Sequence, residues 1–241
     1  MVMLGAGGCA RYGRYVAEDM PARASGPAPS RYMVAGGDTL YSIAWAYGLD
    51  YRSVAGWNNI PAPYTIYPGQ ELKLRAPTST TAARPSSTGA RTSTPPRSST
   101  APRQTKPTPH HVVTSADTRW QWPADGTLLA RFSADDPSGK GIDIGGRRGQ
   151  RVLAARGGSV VYSGSGLLGY GKLIIIKHDD TYLSAYAHND RIRVHENDIV
   201  NVGQHIADMG DSGSDRVMLH FEIRRDGKPV DPLRYLPKRA N

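Results

Sequence analysis

Hydrophobic positions recur with two different periods along this chain, and the change of period divides it. Between residues 31 and 74, Leu40, Ile43, Ala44 and Tyr47 fall at i, i+3, i+4 and i+7, which predicts an amphipathic helix. A short strand at about 31–35 leads into it, Asp38 is expected at its N-cap, and Gly48 ends it. Asp50 is placed to cap a second helix carrying Val54 and Trp57, closed by Asn58-Asn59, and 71–74 reads as a returning strand. The pattern describes a small β-α-α-β module. From Trp120 to about Lys238 the period drops to two. Short strands are expected at 152–155, 159–163, 172–178, 182–188 and 219–224, separated by turns rich in Gly and Asp. The run Leu173-Ile174-Ile175-Ile176 is short, bounded and β-branched, as in a strand buried on both faces. With no long amphipathic helix in this half, the fold class is mostly β overall, ending in an antiparallel β domain.

The segments outside these patterns have a different composition. Residues 1–30 read as a flexible N-terminal tether, and 76–117 form a Ser/Thr/Pro-rich stretch with scattered Arg. So few large apolar groups cannot offset the entropy of ordering, so 76–117 is expected to be an extended linker. The division is therefore tether 1–30, module 31–75, linker 76–117 and β domain 118–238. The net charge of +9 suits an anionic environment, whether nucleic acid, a membrane surface or a wall polymer. Much of that charge lies in the tether and linker and no recognition module accompanies it, which argues against nucleic acid. His110-His111 is read as a solvated pair, and His178, beside Asp179-Asp180, as exposed.

Alternation along the strands then picks out polar groups. In 139–143, Gly139, Gly141 and Asp143 point one way; in 182–188, Tyr182, Ser184, Tyr186 and His188 share a face; in 218–224, Met218, His220, Glu222 and Arg224 share one, opposite Leu219, Phe221 and Ile223. Asp143, His188 and His220 thus fall on separate strands, opposite the apolar rows.

Cys9 is the single cysteine, which excludes an intrachain disulfide and a cysteine-based metal cluster. Its setting, Leu4-Gly5-Ala6-Gly7-Gly8-Cys9-Ala10, resembles the end of a bacterial lipoprotein signal, where the cysteine is diacylated. Ala6 stands where leucine is usual, and the basic and long apolar parts of a signal peptide are absent. Either the start is truncated or misassigned, or Cys9 is an ordinary thiol in a tail. No apolar run is long enough to span a bilayer, so membrane attachment would be through lipid.

Gly37-Asp38-Thr39-Leu40, Asn58-Asn59-Ile60 and Tyr67-Pro68-Gly69-Gln70-Glu71-Leu72 make 31–74 resemble the LysM domain closely. That resemblance implies binding to peptidoglycan glycan strands, in a groove between the loops around 37–40 and 58–64. Gly37, Asp38, Thr39, Leu40, Asn59, Ile60 and Pro61 are the residues it assigns.

Residues 118–237 resemble the LytM domain of lysostaphin-type zinc endopeptidases. Catalytic members carry His-x-x-x-Asp, a separate histidine and His-x-His. Laid on this chain, those positions fall on Gly139 and Asp143, on His188, and on Met218 and His220. The resemblance implies the loss of one zinc ligand at Gly139 and one catalytic histidine at Met218, with no metal or other cofactor held. The whole arrangement is similar to NlpD-type murein hydrolase activators. Trp120-Gln121-Trp122-Pro123, Gly169-Tyr170-Gly171, Ala185-Tyr186-Ala187-His188-Asn189-Asp190 and Asp231-Pro232-Leu233-Arg234-Tyr235-Leu236-Pro237 carry that likeness. It implies a non-catalytic, periplasm-facing outer-membrane lipoprotein that activates an N-acetylmuramoyl-L-alanine amidase in daughter-cell separation. The partner groove would comprise Lys140, Asp143, Tyr170, His188, His220 and Arg224, with Tyr170 offering an exposed ring and Lys140 and Arg224 charge-assisted contacts. Two alternatives stand beside it: an active zinc metalloendopeptidase cutting peptidoglycan cross-links, and a wall tether in which the LysM domain carries all function.

Overall fold

The computed structural model describes residues 28–76, 119–136 and 139–239. Cys9, most of the tether and all but the first residue of the predicted linker lie outside them, as does the His110-His111 pair.

The first module has the predicted order. Strand β1 (Arg31–Met33) pairs antiparallel with β2 (Glu71–Lys73), and α1 (Leu40–Ala46) and α2 (Tyr51–Asn58) lie between them in sequence. The cap of α1 differs from expectation by one residue. Thr39 is the N-cap, in a reciprocal capping box with Ser42: Ser42 N–H donates to Thr39 Oγ1 at 3.0 Å and Thr39 N–H donates to Ser42 Oγ at 3.0 Å. Asp38 instead closes the preceding turn, accepting from Ala35 N–H and Tyr32 O–H at 2.8 Å each. A hydroxyl pair satisfies two orphan amides of the first turn, which a lone Asp38 would not. Asp50 caps α2 as expected, accepting from Ser53 N–H at 2.9 Å, and Asn59 ends it in the left-handed region at φ 55°. Asn58 ties the helix to β2 by accepting from Lys73 N–H and donating to its carbonyl.

The second module is a strongly connected antiparallel sheet. Its strands are β3 (Leu128–Ala130), β4 (Ile142–Gly145), β5 (Arg151–Leu153), β6 (Gly158–Gly164), β7 (Lys172–Lys177), β8 (Tyr182–Ile192), β9 (Ile199–Val200), β10 (His205–Met209), β11 (Met218–Arg225) and β12 (Lys228–Val230). The main order is β3-β4-β11-β8-β7-β6-β9, with β12 beside β11 and β10 bridging β5 and β8. A single 3-10 turn at Pro232–Arg234 follows. Ile142, Ile144, Ile174, Ile176, Tyr186, Leu219, Phe221 and Ile223 fill the core on one side of the sheet. Tyr186 is held there by its hydroxyl, which accepts from Ala155 N–H at 2.9 Å.

His178 corrects the expectation of an exposed side chain. Its ring lies edge-on to Trp120, Nδ1 meets the Gly157 carbonyl and Nε2 meets Ser184 Oγ, each at 2.8 Å. Burial holds its pKa down to about 4, against the weaker pull of the Gly157 hydrogen bond.

The opposite face of β7 and β8 is also covered, and this is where the two modules meet. Leu173, Ile175, Leu183, Ala185 and Ala187 pack in one cluster with Leu40, Ile43, Trp45, Tyr51 and Leu72 of the first module. The two-sided burial expected of 173–176 is therefore real, with a different neighbour on each side.

Candidate functional site

Strand β11 alternates strictly. Leu219, Phe221 and Ile223 enter the core, so His220, Glu222 and Arg224 emerge together on the face that meets the first module. Register places Asp143 of β4 directly opposite His220. The result is a continuous acid–base chain. Asp143 Oδ1 lies 2.6 Å from His220 Nδ1, and His220 Nε2 lies 3.1 Å from Glu222 Oε1. Arg224 donates to Glu222 Oε2 through Nε at 3.1 Å and Nη2 at 3.0 Å, and Tyr170 O–H donates to Glu222 Oε1 at 2.8 Å. Arg224 Nη1 then donates to the Trp45 carbonyl at 2.7 Å, with the guanidinium 3.6 Å from the centre of the Trp45 ring.

Electrostatics follow from that wiring. Burial opposes a charged His220, but hydrogen bonds to Asp143 and Glu222 and the charges of both acids override it, lifting its pKa to about 9. Burial likewise opposes a charged Glu222, and the Arg224 charge with the His220 and Tyr170 hydrogen bonds overrides it, drawing its pKa down to about 2. With a carboxylate oxygen beside each ring nitrogen, the wiring favours the doubly protonated ring of His220.

The remaining predicted groups are placed less simply. His188 reaches the same face, its ring 6.1 Å from that of His220, but not through the alternation expected. Ala187, opposite His220, and Ala185, opposite Glu222, share the site face, whereas Tyr186 and Ser184 point to the core. His188 has φ 64°, and this left-handed residue reverses the alternation so that the side chain returns to the site side. There Nδ1 meets the Ser212 carbonyl at 2.8 Å. Tyr170 is not the exposed ring expected: it is half-buried, with its hydroxyl committed to Glu222, and burial next to that carboxylate raises its pKa. Arg224 is 1% exposed rather than open at a groove. Gly139 and Lys140 precede β4 instead of lying on it, since the strand begins at Ile142. A Cβ at Gly139 would sit 2.9 Å from Ser133 Cβ. Met218 opens β11, opposite Gly145.

In the first module, Gly37 has φ 88°, Asp38 and Thr39 hold the turn and cap, and Asn59 and Pro61 are exposed. Leu40 differs: at 1% exposure its side chain belongs to the core, because it opens the apolar face of α1. The sequence reading missed Glu222 and Trp45. The signal for Glu222 was the His-x-Glu-x-Arg alternation on one strand face. For Trp45 it was an indole set about 140° around the helix from Leu40, off the face formed by Leu40, Ile43, Ala44 and Tyr47. Among the described residues no group of three or more His, Cys, Asp and Glu is arranged to hold a metal ion. A separate cleft of about 780 Å³, lined by Trp122, Arg147, Arg148 and Arg151 among others, contains none of the acid–base chain.

Comparison with known proteins places this arrangement. The model of peptidase family M23 matches residues 138–232, and that of the LysM domain matches 32–75. The lipoprotein NlpD/LppB homolog of Pseudomonas aeruginosa is 46% identical over 240 residues, covering 87% of this chain and 77% of that protein. The chain belongs to the NlpD family. The murein hydrolase activator NlpD of Escherichia coli is 39% identical over 259 residues, covering 87% of this chain and 68% of its own length. A further Escherichia coli protein, the uncharacterized lipoprotein YgeR, is 41% identical over 212 residues, covering 88% and 83%. Among NlpD-family features, the LysM module and the M23-type (LytM) sheet are both present here.

Proposed function

We propose that this NlpD-family protein is a non-catalytic activator of a cell-wall hydrolase, attached to the cell envelope and bound to peptidoglycan through its LysM module. The hydrolase is an N-acetylmuramoyl-L-alanine amidase of the periplasm, engaged by the LytM face around Asp143, His220, Glu222 and Arg224 with Lys140, Tyr170 and His188 at its margins. Its biological output is septal wall splitting. Gly37, Asp38, Thr39, Asn59, Ile60 and Pro61 form the glycan-facing loops, with Leu40 contributing backbone. Cys9 is the point of lipid attachment to the outer membrane.

The observation that carries this reading is the state of His220, which is turned inward between Asp143 and Glu222 with both nitrogens engaged. A catalytic zinc ion needs three protein ligands and an open position for water. The residues here do not fit that need. Gly139 supplies no imidazole and Ser133 crowds the space beside it, Met218 is a thioether, and both His220 nitrogens are engaged by Asp143 and Glu222. The names of the relatives, activator rather than peptidase, support the same reading.

The experiment is an activation assay on purified sacculi. The chain is expected to stimulate the amidase several-fold and to release nothing alone, with or without a chelator. Release of cross-link peptides by the chain alone, abolished by chelation, would refute the proposal and restore the zinc endopeptidase.

A further inference from the structure

Helix α1 has two apolar faces. Leu40, Ile43, Ala44 and Tyr47 turn into its own module, and Trp45, on another side of the helix, is 2% exposed although it belongs to a small domain's outer layer. A helix buried on two sides lies between two layers, and the second layer is the LytM sheet. Trp45 lies against Arg224, and its carbonyl, in the last turn of α1, accepts from Nη1. That carbonyl also accepts from Gly48 N–H at 3.2 Å, its position at the helix C-terminus favours a cation, and the indole face favours the same cation again.

The contact extends beyond this pair. Leu173, Ile175 and Leu183 turn away from the sheet core and share one buried cluster with Leu40, Ile43, Trp45 and Leu72 of the first module and Tyr162 and Leu167 of their own. At the rim, Arg52 Nη2 lies 2.8 Å from Asp226 Oδ1. At the β11–β12 turn, a Cβ on Gly227 would lie 2.6 Å from Asp50 N and from Leu49 C and O, so the backbones of the two modules approach with only a hydrogen between them.

We propose that the LysM module is a lid supplied by the chain itself, with the last turn of α1 seated on the LytM face, so that Arg224, Tyr170 and Leu183 become available only when the modules part. The chemistry of the seat also names what replaces the lid: the C-terminal turn of a helix bearing an aromatic side chain, with a last-turn carbonyl for Arg224. That last clause rests on the reading that the LytM face is the partner surface, whereas the lid does not.

The test is a distance measurement on the full chain. With Cys9 replaced by serine, spin labels are placed on cysteines at exposed Tyr67 and Arg191, one in each module. Gly227→Asn keeps a residue type that tolerates the left-handed backbone (φ 76°) but puts a Cβ into the Leu49–Asp50 backbone. Trp45→Ala removes the stacked ring and leaves the turn intact. The wild type is expected to give one narrow distance, and at least one variant a broad distribution with a roughly tenfold larger open population. A broad distribution in the wild type, or the wild-type distance retained in both variants, overturns the lid. No amidase is present, so this result stands or falls apart from the activation assay.

Discussion

Glu222→Gln is the substitution that most directly probes the acid–base chain. It keeps the shape of the side chain and removes one charge that is 0% exposed and flanked by Arg224 and His220. Two routes give its magnitude. Removing one partner of a buried ion pair costs about 3–5 kcal/mol, because the other charge stays buried without compensation. Independently, Glu222 moves from its ordinary 4.5 to about 2. At ~1.4 kcal/mol for each tenfold change in proton affinity, that favours the charged form by about 3 kcal/mol. The stabilisation is present above pH 4.5 and is lost as pH falls towards 2. His220 has the opposite sign. Raised from 6.5 to about 9, it stabilises fully below pH 6.5 and loses that contribution as pH rises through 9. The two groups share one hydrogen bond, so their contributions do not add. Urea unfolding of the full chain between pH 3 and 10 is expected to show greatest stability near pH 6.5, because below it the buried, neutral His178 costs stability as the unfolded state takes up a proton, and above it the His220 contribution fades. Glu222→Gln should lower it there by about 3 kcal/mol and flatten the acid limb. Stability within about 0.5 kcal/mol of wild type at pH 6, or an unchanged acid limb, refutes the assignment.

Three further outcomes are expected. Tyr186→Phe leaves the Ala155 amide without its acceptor and should cost about 1–2 kcal/mol in urea unfolding. Thr39→Ala breaks the capping box of α1 and should lower stability by about 1 kcal/mol, seen most clearly as faster amide exchange in that helix. Gly139→His should not create a zinc site, because the new Cβ meets Ser133 and His220 remains held by two acids. Metal analysis after dialysis against zinc should therefore match wild type, and about one tightly held zinc per chain would contradict this.

Periodicity made most of the framework legible. The four positions of α1 at i, i+3, i+4 and i+7, the two-sided run at 173–176 and the alternation of β11 all describe local backbone states that side chains must obey. What stayed hidden depended on backbone states or distant neighbours. A left-handed His188 overturns the alternation of β8, and nothing in the sequence around it announces it, since positive φ is uncommon for any residue other than glycine even though histidine is enriched there. His178 looked exposed beside two aspartates because Trp120, which covers it, is remote in sequence. Arg224 and Tyr170 looked like open groove residues because the layer above them belongs to another module. Glu222 was visible in the pattern, yet its weight comes from accepting Tyr170, His220 and Arg224 together, and Tyr170 arrives from the loop before β7, remote in sequence.

The apolar side chains Leu173, Ile175 and Leu183 set a kinetic condition on any separation of the modules. Uncovered, they would present a greasy strip beside a hydrated arginine, and such strips on soluble domains attract whatever apolar surface is near. A chain that opened and waited would therefore tend to reclose or to stick to a neighbour. Release of α1 is productive only as an exchange, in which the incoming helix arrives while the strip is still partly covered. The lifetime of the vacant face, rather than its affinity, is then the quantity on which the sheet's side chains have been set.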